Sequence, residues 1–225
     1  VAPACKNFAT FVSVDGYGQQ AEYMRNGMDF SLLQSNVKRI LNETDNSTIT
    51  FINTFNLLSL TSLRDYLQWI LDLREEYAKD KQGIKYIPIP DNGDHKHPDY
   101  EIKPKQRIWF DIPLLRARLW QCIQIMPDYY QSYLEEAIAF MEMNQADEVN
   151  IDYRGFKDFE IDKVRRNLEW MKAGANMDRD ELLKARANFF KFFTQHDKRR
   201  GTNFLETYPE MEDWWNICKE AEALV

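Results

Sequence analysis

Hydrophobic and polar positions along this chain follow two periods, and each change of period marks an element. Phe8-Ala9-Thr10-Phe11-Val12 reads as a short buried strand, broken by Asp15-Gly16 and then Gly18. Phe30, Leu33, Val37, Ile40 and Leu41 recur at helical spacing, with Lys38 and Arg39 near the helix end, where cations suit the dipole. A polar turn from Asn42 to Ser47 leads into Thr48-Ile49-Thr50-Phe51-Ile52-Asn53-Thr54-Phe55, a β-branched and aromatic strand ending at Asn56. Ser59 or Thr61 can cap a long helix carrying Leu60, Leu63, Leu67, Ile70 and Leu71, which frays out through Arg74-Glu75-Glu76 and stops at Gly83. Ile84-Lys85-Tyr86-Ile87-Pro88-Ile89-Pro90 reads as a third strand, whose prolines mark its carboxyl end.

Strand, helix, strand, helix, strand in this order predicts parallel βαβ units, an open slice of a sheet or barrel. Further on, Arg107 to Ile112 and Trp120 to Ile125 read as two strands of uncertain register, linked by Pro113 to Leu119 in a hairpin or around a barrel rim. The rest is helical. Apolar stripes run through Tyr130, Leu134, Ile138 and Met141, then Phe159, Val164, Leu168 and Met171 with Arg165 and Arg166 outside. A third covers Leu182 to Phe193, capped by Asn176 or Asp178, and a fourth holds Met211, Trp214, Trp215 and Cys218. The fold class expected is α/β: a partial parallel (β/α) barrel of about three βα units, a small β segment and a mostly helical C-terminal region. The division expected is residues 1–127 for the partial barrel and 128–225 for the helical region.

Composition narrows the function. The 225 residues are 44% hydrophobic and 14% aromatic, enough for a full core. A net charge of -7 argues against a general nucleic-acid binder, whose affinity comes from neutralising phosphates, although a local basic patch stays open. No apolar run approaches the roughly 20 residues that span a bilayer, so no membrane partner is expected. Cys5, Cys122 and Cys218 are odd in number and far apart, which suits a reducing compartment, and a cytoplasmic location is expected. The Asn42-Glu43-Thr44 and Asn46-Ser47-Thr48 triplets read as accidental without a secretory signal. The chain starts without Met, close to a buried strand, and three parallel strands leave an open edge, so further residues upstream are expected.

Three stretches carry candidate chemistry. Ser13-Val14-Asp15-Gly16 through Glu22-Tyr23-Met24-Arg25 places a hydroxyl, carboxylates and a guanidinium just past a strand end, where parallel α/β folds bind ligands. The plain alternative is a βα turn, with Arg25 in a surface pair. His95-Lys96-His97 near Asp91, Asp94 and Asp99 offers metal-ligand types, against the alternative of a solvated polar loop. His196-Asp197-Lys198-Arg199-Arg200-Gly201 reads either as an anion site or as a helix end with Gly201 as its left-handed stop, the stop being favoured.

Taken as an ordered set, these segments resemble the radical S-adenosylmethionine (radical SAM) enzymes, in the branch with SPASM or twitch C-terminal domains. The resemblance rests on Ser13-Val14-Asp15-Gly16 followed by Glu22 and Arg25, on Asn53-Thr54-Phe55-Asn56 before a helix, and on Tyr86-Ile87-Pro88-Ile89. Phe110-Asp111-Ile112-Pro113, Met126-Pro127-Asp128-Tyr129-Tyr130 and His196 to Phe204 are similar to twitch-containing members from marine bacteria and their phages. The family implies SAM and a 4Fe–4S cluster held by CxxxCxxC, which together yield a hydrogen-abstracting radical. It also implies that Ser13 contacts the ribose or amino-acid part of SAM, that Arg25 pairs with its carboxylate, and that Asn56 contacts ribose or carboxylate. Backbone near Ile87 and Pro88 would line the adenine, and Asp15 would shape the loop or touch the ribose.

The departures are as informative. The chain has no CxxxCxxC, and its three scattered cysteines supply neither the main cluster nor an auxiliary one. It therefore matches the carboxyl-terminal half of such an enzyme, with SAM and the cluster expected for the complete enzyme and neither expected to be held by these residues alone. The alternative is a non-catalytic binding or scaffold protein that keeps the fold. Peptides, sugar nucleotides and small metabolites are all compatible substrates, and the oligomeric state is open.

Overall fold

The computed structural model describes residues 8–44, 47–78, 106–146 and 154–225. The strand read at Ile84 to Pro90, the stop at Gly83 and the His95/His97 loop fall outside these residues.

The chain is mixed α/β, with a small parallel sheet and a majority of helix. Strand β1 (Phe8–Ser13) leads through helices α1 (Gly18–Met24) and α2 (Phe30–Glu43) to β2 (Ser47–Ile52). Helix α3 (Leu63–Ala78) follows, and β3 (Ile108–Asp111) completes the sheet in the order β1-β2-β3, both pairs parallel. Ser13 aligns with Ile52, and Ile52 with Asp111, so all three strands end at one edge. Arg107–Ile112 thus contains a strand as read, but its neighbour is β2.

The second strand read at Trp120–Ile125 is absent. Leu119–Gln121 and Ile123–Ile125 are 3-10 turns, and Cys122 between them donates its thiol to the Leu115 carbonyl at 3.2 Å. Apolar residues at 119, 120, 123 and 125 satisfy a tight turn as well as a strand, and short runs of this kind do not separate the two. The described residues therefore show no small β segment after the sheet.

One sheet face is core. Ile49, Phe51, Ile108 and Phe110 are buried on it, with Phe51 packed on Trp69 of α3 at 4.7 Å between ring centroids. The opposite face carries Ala9, Phe11 and Ser13, all exposed; Phe11 is 67% exposed. Parallel sheets are normally covered on both faces. Here, at the β3 side, Phe159 stacks on Trp109 at 6.4 Å.

Two buried arginines fix the layers. Arg107 sends its guanidinium to the carbonyls of Leu41, Thr44 and Ser47, satisfying the end of α2 and tying it to the start of β3. Arg74, read as part of a fraying helix end, is instead buried and paired with Glu160. It lies three, four and seven residues after Leu71, Ile70 and Leu67, on the same apolar stripe. Neither Ser59 nor Thr61 caps α3: Ser59 closes a capping box with Asn56 over Leu57–Ser59, and α3 starts at Leu63.

The remaining helices are α4 (Gln131–Met143), α5 (Asp158–Lys172), α6 (Arg179–Arg200), α7 (Phe204–Thr207) and α8 (Glu212–Leu224). Asp178 caps α6, accepting from the Asp180 and Glu181 amides, and Gly201 ends it at φ 64°. Around Phe189 of α6 cluster Phe193, Phe204 and Trp214. Tyr23 of α1 enters this cluster against Phe193, Phe204 and Tyr208, and donates to Asp197 at 2.8 Å. One continuous core results, from Val14 beside the sheet to Cys218 in α8. No described helix is long and apolar enough to cross a membrane.

Candidate functional site

The candidate site is the edge where the parallel strands end. Asp15, two residues past β1, accepts the Thr54 amide at 2.9 Å through Oδ1 and pairs with Arg25 Nη2 at 2.8 Å through Oδ2. It thereby ties the loop after β1 to the loop after β2 and orients the guanidinium. Gly16 lets this loop pass close to its neighbours, since a Cβ there would lie 2.8 Å from Met24 Cε and 3.0 Å from Ser62 Oγ. Arg25 follows α1, its amide donating to the Ala21 carbonyl at 3.0 Å. Its side chain is 36% exposed, while its Nε is buried without a partner among the described residues.

Asn56 is mostly occupied. Its Oδ1 accepts the Leu58 amide at 2.9 Å, and its Nδ2 donates to the Thr54 carbonyl at 3.0 Å, lying 3.9 Å from Met24 Sδ. Asp15, Arg25 and Asn56 therefore meet around Thr54 and the end of α1. Ser13 does not join them: it is exposed on the uncovered sheet face and makes no hydrogen bond among the described residues. Ile87 and Pro88 lie outside the described residues. Glu22, the acid of the same stretch, accepts the Phe30 amide at 2.8 Å and helps start α2, a structural task.

Two groups at this edge escaped the sequence reading. Asn53 is fully buried, and both atoms of its amide lack a partner among the described residues. The Tyr66 hydroxyl is equally unpartnered; burial, reinforced by the carboxylates of Asp15 and Asp111, pushes its pKa well above the usual phenol range. Buried polar atoms nearly always have partners, so these two stand out near the strand ends. The signal was present in the alternation: Asn53 continues the inward series Ile49, Phe51 and puts an amide where an apolar residue belongs. At the third strand end, Asp111 pairs with Lys163 of α5 at 2.8 Å.

The edge thus offers two carboxylates and two cations, a set suited to a polar, partly zwitterionic ligand, with the Asn53 amide and the Tyr66 hydroxyl buried near it. No group of three or more His, Cys, Asp or Glu able to hold a metal occurs among the described residues. Cys122 and Cys218 are both buried, in different parts of the fold, and burial raises the pKa of each thiol. Comparison with family models, with curated proteins and with solved structures gave no match to this chain.

Proposed function

We propose that the chain is the cofactor wall of a radical SAM enzyme of the SPASM/twitch branch, with SAM held along the carboxyl edge of the parallel sheet. The observation that carries this reading is the Arg25–Asp15–Thr54 junction, which presents a half-exposed guanidinium at a parallel strand end. The sheet, with one helix-covered face and an opposite face that the described residues leave open along β1, is what a slice of a (β/α) barrel offers, that face being the lumen.

The residues fit one part of the cofactor set. Arg25 has donors left over after pairing with Asp15, and a planar guanidinium suits a carboxylate such as that of the SAM methionine. Ser13 offers an exposed hydroxyl on the lumen face, whereas the Asn56 amide is taken up by Leu58 and Thr54 and would have to exchange a partner to reach the ligand. In that family, SAM bound to a reduced 4Fe–4S cluster is the source of a hydrogen-abstracting radical. The described residues do not fit the cluster, since they bring no three thiolates together. The part of this chain is to bind and orient SAM and to keep water from it. The substrate class, whether peptide, sugar nucleotide or small metabolite, is set elsewhere.

Calorimetric titration of the complete enzyme with SAM tests the wall, the residues of this chain alone being expected to bind SAM weakly or not at all. Arg25→Ala should weaken binding by about 1.5–3 kcal/mol, the worth of a charged hydrogen-bonded pair. An unchanged affinity removes Arg25 from the site. The coding sequence ahead of Val1 tests the enzyme: a CxxxCxxC there supports it, whereas a start codon at this point favours a non-catalytic scaffold that keeps the fold.

A further inference from the structure

The exposed side of α6 forms a groove with Trp120, lined by none of the residues of the SAM reading. Its volume is about 630 Å³, within the range of small-ligand sites. Asn188, Phe192, Gln195 and Arg199 follow one another at three- and four-residue steps, so they share a single helix ridge. Phe192 is 41% exposed, and its ring lies 4.3 Å from that of Trp120. This leaves an aromatic platform open to solvent at the centre of the groove.

One wall is cationic, in a chain of net charge -7. Arg199 makes no ion pair among the described residues. Lys191 has one loose partner, Glu222 at 3.7 Å, with both side chains largely exposed. Arg200 is held by the Tyr23 carbonyl and by His196 Nε2, each at 2.7 Å, and no carboxylate among the described residues pairs with it. Its Nε is buried without a partner. The carboxylate nearest in sequence, Asp197, does not line the groove; it is engaged by Tyr23, Thr202 and the Phe204 amide and lies 3.4 Å from His196 Nδ1. His196 accepts from Arg200, and its pKa is lowered by burial, so it contributes a neutral ring.

An open aromatic face, side-chain amides on either side of it and three cations with one weak counter-charge form a recognisable combination. Rings of this kind stack on planar bases, amides read base edges, and exposed guanidinium and ammonium groups take phosphate. We propose that this groove binds a nucleoside phosphate, its base on Trp120 and Phe192 and its phosphate on Lys191 and Arg199.

The test is calorimetric titration of the full chain with adenosine 5′-diphosphate, with pyrophosphate and with adenosine. The diphosphate nucleoside is expected to bind more tightly than either fragment, with affinity falling as salt rises. Arg199→Ala should weaken it at least about tenfold, and Phe192→Ala should weaken the nucleotide while leaving pyrophosphate unchanged. Both positions are exposed, so folding survives, and Arg25→Ala should leave this binding intact. A short 5′-phosphorylated single strand, run beside the nucleotide, tells whether the natural source is a strand end or a free nucleotide. Absence of nucleotide binding at millimolar concentration, pyrophosphate binding as tightly as the nucleotide, or an unaffected Arg199→Ala would each overturn the proposal.

Discussion

Arg74 of α3 and Glu160 of α5 face each other as a two-pronged ion pair, 2.7 Å and 3.1 Å, with both side chains fully buried. The remaining valences are filled: Arg74 Nε donates to the Ile108 carbonyl at 3.1 Å, and Glu160 accepts the Lys157 amide at 3.0 Å. The pair therefore connects α3, β3 and α5, across the sheet-to-helix junction. Truncating one partner leaves an uncompensated buried charge, which costs about 3–5 kcal/mol, whereas a matched apolar pair recovers much of that. Arg74→Met and Glu160→Leu should each lower the unfolding free energy by that amount in urea titrations, and the double variant by clearly less than their sum. Strict additivity would show that the two groups are not coupled.

Much of this frame was legible in the sequence because period and burial agree. The strand within Thr48–Phe55, the stripe from Phe30 to Leu41 and the four C-terminal stripes became elements with most of those positions inward, Phe159 and Phe192 being the outward exceptions and the strand ending at Ile52. The misreadings share a cause. Arg74 sits on an apolar stripe, but its charge suggested solvent, and nothing local announces that Glu160, 86 positions on, will neutralise it. Trp120–Ile125 is apolar because it fills the gap beneath α6, a tertiary requirement that a 3-10 turn meets as well as a strand. At the candidate site, Asp15 and Arg25 were visible near a strand end, with Arg25 in a surface pair as the plain reading, whereas the capping by Asp15 of a loop 39 positions away depends on β1 and β2 lying side by side.

The thiols should report the tightness of the helical part. Cys218 lies in the core beside α6, and Cys122 sits under the loop whose carbonyls it faces. Burial raises the pKa of both, which suppresses the reactive thiolate. With a thiol reagent at neutral pH, neither is expected to react in the folded protein on the timescale of free cysteine, whereas all three cysteines of the chain should react in denaturant. Labelled peptides identified by mass spectrometry locate the sites; rapid native labelling of Cys218 would contradict its burial.

Acid should loosen the junction between α1 and α6 through His196. Its ring packs on Tyr23 and Phe193, its Nε2 accepts from Arg200, and its Nδ1 lies 3.4 Å from Asp197. Burial and the Arg200 charge lower its pKa, outweighing the hydrogen bond to Asp197. The unfolded chain then takes up a proton at higher pH than the folded one. The contribution of the neutral ring is complete above the unfolded value, about 6.5, and is lost as pH falls toward and through the folded value. Tm should therefore drop between pH 7.5 and 5 more in the wild type than in His196→Phe, which keeps the ring contacts without titrating. Parallel Tm curves for the two proteins would exclude His196 as the source.

Gly174 is a position where one methyl group should do marked harm. It follows α5 in the 3-10 turn Ala173–Asn176, and a Cβ built there would overlap the carbonyl oxygen of Gln124 and lie 2.8 Å from its carbonyl carbon. Both obstacles are backbone, in the turn that carries Ile123 and Ile125 into the core, so neither can swing aside as a side chain would. Gly16 offers the contrast, since its nearest obstacle is the flexible tip of Met24. Overpacking against a fixed backbone costs about 1–3 kcal/mol or more. Gly174→Ala should lose stability at that level in urea unfolding, with Gly16→Ala losing less. A Gly174→Ala protein as stable as wild type would show that the contact between this turn and Gln124 is not as close as the structure has it.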